Sequence, residues 1–247
     1  MTYYSSYQKL LKYYDDNCRK NGFTAKSYDE YIIWKRQLKE KLEELIGLDK
    51  MGPAPMNCQL IETVQCDGFC REKHILETES GVWMPFYMLI PDSKMEVKFN
   101  PIIALHGHGA FAKEGVSGAV HKDMAERVDF YNTAYGLTLV KAGYAVFCPD
   151  ARGSGERREL RNQGDEDIKK LESSCNSLNN AAISMGMTLT GMWVWDLMKL
   201  TDYIISLPFC NKDTLSSVGF SGGGMQSLWL AALDERIQKV VISGYYH

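Results

Sequence analysis

The chain has 247 residues, 45% hydrophobic and 24% charged, with a formal net charge of −3. This is ordinary globular composition, enough for one sizeable core in one large α/β domain or two small ones. It has no long basic run, which excludes the electrostatic footprint of a nucleic-acid binder, and no stretch of roughly 18 apolar residues that would span a membrane. The N-terminus, MTYYSSYQKLLKYYDD, is polar and tyrosine-rich, without the apolar segment of a secretory signal. Seven cysteines (Cys18, Cys58, Cys66, Cys70, Cys148, Cys175 and Cys210) are an odd set. With no export signal they predict reduced thiols and a cytoplasmic location. Cys66 and Cys70 stand four apart with no second pair, a poor zinc signature, so neither a metal nor a cofactor is expected.

In chain order, residues 27–46 alternate apolar and charged residues at helical spacing, with Ile33, Leu38, Leu42 and Leu45 as a stripe and Gly47 as the C-cap. Met51-Gly52-Pro53-Ala54-Pro55 breaks regular structure, so residues 1–57 read as a helical N-terminal extension and 58–247 as the core domain. Residues 70–79 and 82–90 predict two strands joined at Ser80-Gly81. The apolar run 101–105 predicts a strand buried on both faces. A helix is expected at 131–142, a strand at 144–148, a loop-rich stretch to about 187, and a helix at 190–206. A strand at 215–220, a glycine turn, a helix at 225–233 and a strand at 238–243 complete the pattern. Alternating strands and helices predict an α/β fold with a mainly parallel sheet, helices on both faces and the hairpin antiparallel at one edge. Its exposed sheet edge would be open to homo-oligomer formation.

The sharpest signal is Gly219-Phe220-Ser221-Gly222-Gly223. G-x-S-x-G alone is weak, but here it lies between an apolar strand and a helical run, as a nucleophile elbow requires. A tight strand–helix turn needs small neighbours, which Gly219 and Gly223 supply, and the helix N-terminus after Ser221 favours developing negative charge. The blander reading is a glycine-rich turn with an inert serine. His106-Gly107-His108-Gly109 directly follows the strand 101–105. The backbone N–H of His108 is the expected first oxyanion donor and that of Gly222 the second. Strand order argues against the His108 imidazole as general base, and the side chains of His106 and His108 then only shape the loop with Gly107. After the strand 144–148, Asp150 and Arg152 are expected to pair and fix the loop beside the site. Asp196 reads as a buried hydrogen-bonding residue, His74 and His121 as ordinary strand and loop residues, and Asp234 and Glu235 as solvent-facing.

Together, LHGHG at 105–109, GYAVFCPDARGSGERR at 143–158, GMWVWDLMKLTDYIISLPF at 191–209 and VGFSGGGMQSLWLAALDERIQKVVISGY at 218–245 resemble the α/β-hydrolase superfamily, in its dienelactone hydrolase-like and acetyl xylan esterase-like branch. The resemblance covers roughly residues 60–247. It implies the α/β-hydrolase fold and a serine esterase acting on small acyl esters, often acetylated sugars. Dienelactone hydrolases carry cysteine as nucleophile; Ser221 at that position favours the esterase side. The family's triad runs Ser, then Asp or Glu, then His, with the last two on loops after two further strands. Residues 222–247 are all that follow Ser221, so no residue matches the catalytic acid or base, and His247 stands where the family does not place one. The expectation is a C-terminally incomplete core, inactive as this shortened chain. Two alternatives stay open: a short homologue that binds a ligand or partner without hydrolysis, and a serine peptidase of the prolyl-oligopeptidase type.

Overall fold

The computed structural model describes residues 4–92, 98–109, 111–120, 132–164, 166, 169 and 171–245. The chain divides into two compact units, residues 1–42 and 43–247. In the first, helix α1 (Tyr7–Asn17) precedes most of α2 (Tyr28–Ile46). Helix α2 starts where Ser27 Oγ accepts from Glu30 N–H and the Glu30 carboxylate accepts from Lys26 N–H, a reciprocal cap for otherwise orphaned amides. Phe23 meets Trp34 edge-on at 4.9 Å, and Trp34 Nε1–H donates to Asn21 O. The expected stripe is partly corrected: Ile33 and Leu45 are exposed, and Ile46 is the residue buried near the helix end. One residue's rotation is 100° on a helix, enough to carry Leu45 off the packed face. Gly47 follows with φ +69°, where a Cβ would lie 2.5 Å from Gly186 O.

The larger unit is built on seven strands: β1 (Cys58–Cys66), β2 (Phe69–Glu79), β3 (Val82–Pro91), β4 (Pro101–Leu105), β5 (Ala145–Pro149), β6 (Ser216–Phe220) and β7 (Lys239–Ser243). Their order in the sheet is β1-β2-β3-β5-β4-β6-β7. The β1–β2, β2–β3 and β3–β5 pairings are antiparallel; β5–β4, β4–β6 and β6–β7 are parallel. The sheet is therefore mixed, and the expected hairpin gains a third strand in β1. Helices α3 (Ala112–Ser117), α4 (Tyr135–Lys141), α5 (Cys175–Ile183), α6 (Leu189–Ser206) and α7 (Gly222–Leu233) are the α-helices of this unit among the described residues, besides the end of α2. The expected helix at 131–142 is seen as α4, its first residue lying outside the described set, and α5 falls in the stretch expected to be loop.

Period-2 alternation sends neighbouring side chains to opposite faces. Ile103, Leu105, Ala145 and Phe147 pack with Leu197, Leu200 and Ile204 of α6 and Leu230 of α7. Ile102, Ala104, Val146 and Cys148 pack on the other face with Val116 of α3 and Val140 of α4. Strands β4 and β5 are thus apolar at every position because both faces are covered. Each fully buried Phe or Leu contributes roughly 1.5–3 kcal/mol. At the outer side of the sheet, Val240 and Val241 of β7 are exposed. No helix among the described residues is long and apolar enough to cross a membrane.

Candidate functional site

Strands β4 and β6 are neighbours, so the loops leaving their C-terminal ends meet. Ser221 sits between β6 and α7 with φ +53° and ψ −118°, a backbone conformation that non-glycine residues rarely adopt. Its N–H donates to Ser243 O, and its own carbonyl accepts from Met225 N–H as the first turn of α7. The surrounding glycines are there because backbone touches backbone. A Cβ on Gly219 would lie 2.1 Å from Gly223 O, and one on Gly223 would lie 1.9 Å from Leu105 O. Both contacts are far inside van der Waals distance, so no other residue fits without moving a strand. Tyr135 Oη donates to the same Leu105 carbonyl and ties α4 to this corner.

The loop 106–109 closes over the serine from the β4 side. A Cβ on Gly107 would lie 2.9 Å from Phe220 O and 3.4 Å from Ser221 Cβ. A Cβ on Gly222 would lie 2.9 Å from His108 Nδ1 and 3.7 Å from His108 N. The structure therefore brings the His108 backbone amide beside Gly222, at the first turn of α7, where amides lack intrahelical partners. A narrow pocket beside Gly222 is lined by His108, Ala151, Ser154, Trp193 and Gln226, among others.

The described histidines occupy three different settings. His106 is buried, its Nε2 accepting from Ala151 N–H at 3.1 Å, which leaves the proton on Nδ1, 3.0 Å from Gly107 O. Burial holds its pKa below the ordinary range, so it stays neutral and serves the loop. His108 is exposed, its ring 6.4 Å from that of Trp193. His74 lies on β2, bonded to Glu72 and facing Cys58. His121 and His247 lie outside the described residues. No catalytic base or acid is assigned to Ser221 among the described residues.

The loop after β5 corrects one expectation: Asp150 and Arg152 do not pair. Asp150, fully buried, accepts from Lys113 N–H at 3.0 Å, Lys113 Nζ at 2.8 Å and Glu156 N–H at 3.0 Å. Burial alone would raise its pKa, but the Lys113 ammonium, His106 and the hydrogen bonds from Lys113 together hold the carboxyl below the usual range. Arg152 instead grips Asp196 through Nε and Nη2, at 2.9 and 2.8 Å, and reaches Glu79 at 2.6 Å. The chain turns at residues 152–153, and this turn sends Asp150 toward Lys113 of α3 and Arg152 toward Asp196 of α6. Asp196 is buried and also takes Arg157 Nη1 at 2.6 Å, the hydrogen-bonding role expected of it. Asp234 is corrected too: it is buried, with both carboxylate oxygens bound by Arg236, while Glu235 is exposed. Lys113, one of the most deeply buried side chains, carried no signal in the sequence because its partner is 37 residues away.

Residues 2–246 match the model of the Abhydrolase family. The chain is 28% identical over 187 residues to the protein named "Putative hydrolase YtaP" of Bacillus subtilis (strain 168), covering 73% of this chain and 56% of that one. Its fold is similar to that of a crystal structure described as "a putative acetyl xylan esterase" from Bacteroides fragilis NCTC 9343, with a TM-score of 0.82 at 21% identity, covering 97% of this chain and 60% of that one. It is also similar to acetyl xylan esterase 1 from Thermoanaerobacterium sp. JW/SL YS485, with a TM-score of 0.55 at 21% identity, covering 84% of this chain and 57% of that one. The chain thus spans somewhat over half the length of each of these relatives. With the serine turn and the mixed sheet beneath it, the family match leads to one conclusion: the chain belongs to the Abhydrolase family, an α/β-hydrolase with an acetyl xylan esterase-like fold.

Proposed function

We propose that this chain carries the nucleophile and oxyanion hole of a serine esterase acting on small acyl esters, acetylated sugars foremost. The strained backbone of Ser221, packed against the 106–109 loop, is the observation that carries the reading. A base removes the Ser221 Oγ proton as Oγ attacks the ester carbonyl. The carbonyl electron pair moves onto oxygen, and the N–H groups of His108 and Gly222 stabilise that oxyanion, each worth on the order of 3 kcal/mol when lost. Collapse expels the alcohol, protonated by the base, and water then cleaves the acyl–serine. The acetyl xylan esterases among the similar structures favour acetate on a sugar. The base comes from outside the described residues.

Labelling with a fluorophosphonate, read as intact mass, tests this directly. The reagent modifies serines that a base has activated. No adduct on the folded chain fits a nucleophile awaiting its base. An adduct that disappears in Ser221→Ala shows that a base reaches the serine after all. An adduct that survives Ser221→Ala overturns the assignment of the nucleophile. Turnover of p-nitrophenyl acetate over the butyrate ester is expected wherever the base is present, and the reverse preference would overturn the short-acyl reading.

A further inference from the structure

A second arrangement of nucleophile, base and orienting acid lies away from Ser221, where β1 meets β2. Glu72 and His74 are two apart on β2 and share a face. Cys58, at the start of β1, is registered opposite Leu76, which puts it diagonal to His74 on that same face. Its Sγ lies 3.7 Å from His74 Nδ1, and His74 Nε2 lies 2.8 Å from Glu72 Oε2. One tautomer satisfies both contacts: Nε2–H donates to Glu72, and Nδ1 accepts from the thiol. The ring is held by stacking on Phe86, with centroids 5.2 Å apart and planes 17° apart. The imidazole is buried, while Cys58 and Glu72 are partly open to solvent. A nucleophile within reach of a base, with the base oriented by a third group, is the signature of an activated nucleophile. A metal does not account for it: among the described residues no group of three or more His, Cys, Asp and Glu side chains is placed to hold a metal ion.

We propose that Cys58 is a base-assisted nucleophile and a covalent modification site for α,β-unsaturated carbonyl compounds, with His74 as its base and Glu72 orienting that base. The proposal does not rest on the Ser221 reading. As Sγ bonds to the β-carbon of the acceptor, its proton passes to His74 Nδ1. The carbon–carbon π pair moves through to the carbonyl oxygen as an enolate, which takes a proton from water, and the imidazolium returns its proton to solvent. The net reaction is addition of S–H across the double bond. Burial pushes the Cys58 thiol up, opposed by the Tyr203 hydroxyl against the sulfur. The resting residue is therefore a thiol, deprotonated as it reacts.

The experiment is a short pulse of N-ethylmaleimide on the folded 247-residue protein and on the same chain in urea, with each cysteine quantified by peptide mass spectrometry. Burial without base assistance makes a folded thiol slower than its unfolded counterpart. Base assistance makes Cys58 about tenfold faster folded than unfolded. His74→Phe keeps an aromatic ring against Phe86 and removes that excess. Glu72→Gln, a milder change, lowers it about threefold. The rates at the buried Cys148 and Cys210 stay low in both variants and report an intact fold. A folded Cys58 slower than the unfolded one overturns the proposal, as does an excess that survives both variants.

Discussion

Two corners of the crevice are fixed by opposite means. The turn 219–224 is held by backbone against backbone: Gly219 on Gly223, Gly223 on Leu105, Gly224 on Ser243. The loop 150–157 is held by buried charge: Lys113 on Asp150, and Arg152 and Arg157 on Asp196. The first device tolerates no added atom but needs no particular electrostatics. The second depends on every charge being matched, because a buried ion left alone costs more than the pair contributes. The comparison teaches that the serine turn is protected sterically, while the loop beside it is vulnerable to charge deletion and to acid.

The largest expected effect tests the charged corner. Lys113→Met leaves Asp150 uncompensated among buried groups and should cost about 3–5 kcal/mol in urea denaturation. A loss under about 1 kcal/mol would mean that water, and not Lys113, balances Asp150.

Next comes the steric corner. Gly223→Ala places a methyl group 1.9 Å from Leu105 O and should cost about 3 kcal/mol. Gly224→Ala meets Ser243 O at 2.9 Å and should cost about 1 kcal/mol. Equal melting temperatures for the two variants would contradict the steric account.

Double-mutant cycles sharpen the pairing itself. Arg152 and Asp196 should couple by about 2 kcal/mol, whereas Asp150 and Arg152 should couple by less than about 0.5 kcal/mol. Strong coupling of the second pair would restore the partnership that their spacing in the sequence suggests.

The smallest effect is the pH dependence. His106 has a folded pKa below its ordinary 6.5, so as pH falls the unfolded chain takes up the proton first. Its contribution is whole above pH 6.5 and declines as pH drops from there toward the folded value. Asp150 is likewise depressed below 3.8, so its contribution is lost at lower pH still. Melting temperature should be flat above pH 7 and fall in these two stages. His106→Asn should lack the first stage, and its persistence in that variant would assign the stage elsewhere.

Much of this was legible in the residues themselves. Strands β4 and β5 announce themselves as short apolar runs because both of their faces are covered, and α6 by its apolar periodicity. The spacing of Gly219 and Gly223 around Ser221 pointed to a sharp turn because backbone contact admits only glycine. Strand β1 gave no such signal: its central residues are exposed, so burial leaves no alternation to read. The Asp150–Arg152 pairing was inferred from nearness in sequence, which says nothing about the direction of a side chain.

The sequence by itself determined the order of β2 to β7 and of α2, α4, α6 and α7, and the positions where only glycine fits, since periodicity and local sterics depend on neighbours along the chain. Only the tertiary structure decided which charges pair, that His106 is locked between Gly107 and Ala151, and that Cys58 meets His74. The Cys58–His74, Lys113–Asp150, Arg152–Asp196 and His106–Ala151 contacts join residues 16 to 45 positions apart, and their partners are set by sheet register and by burial, which raises the cost of every unmatched polar group.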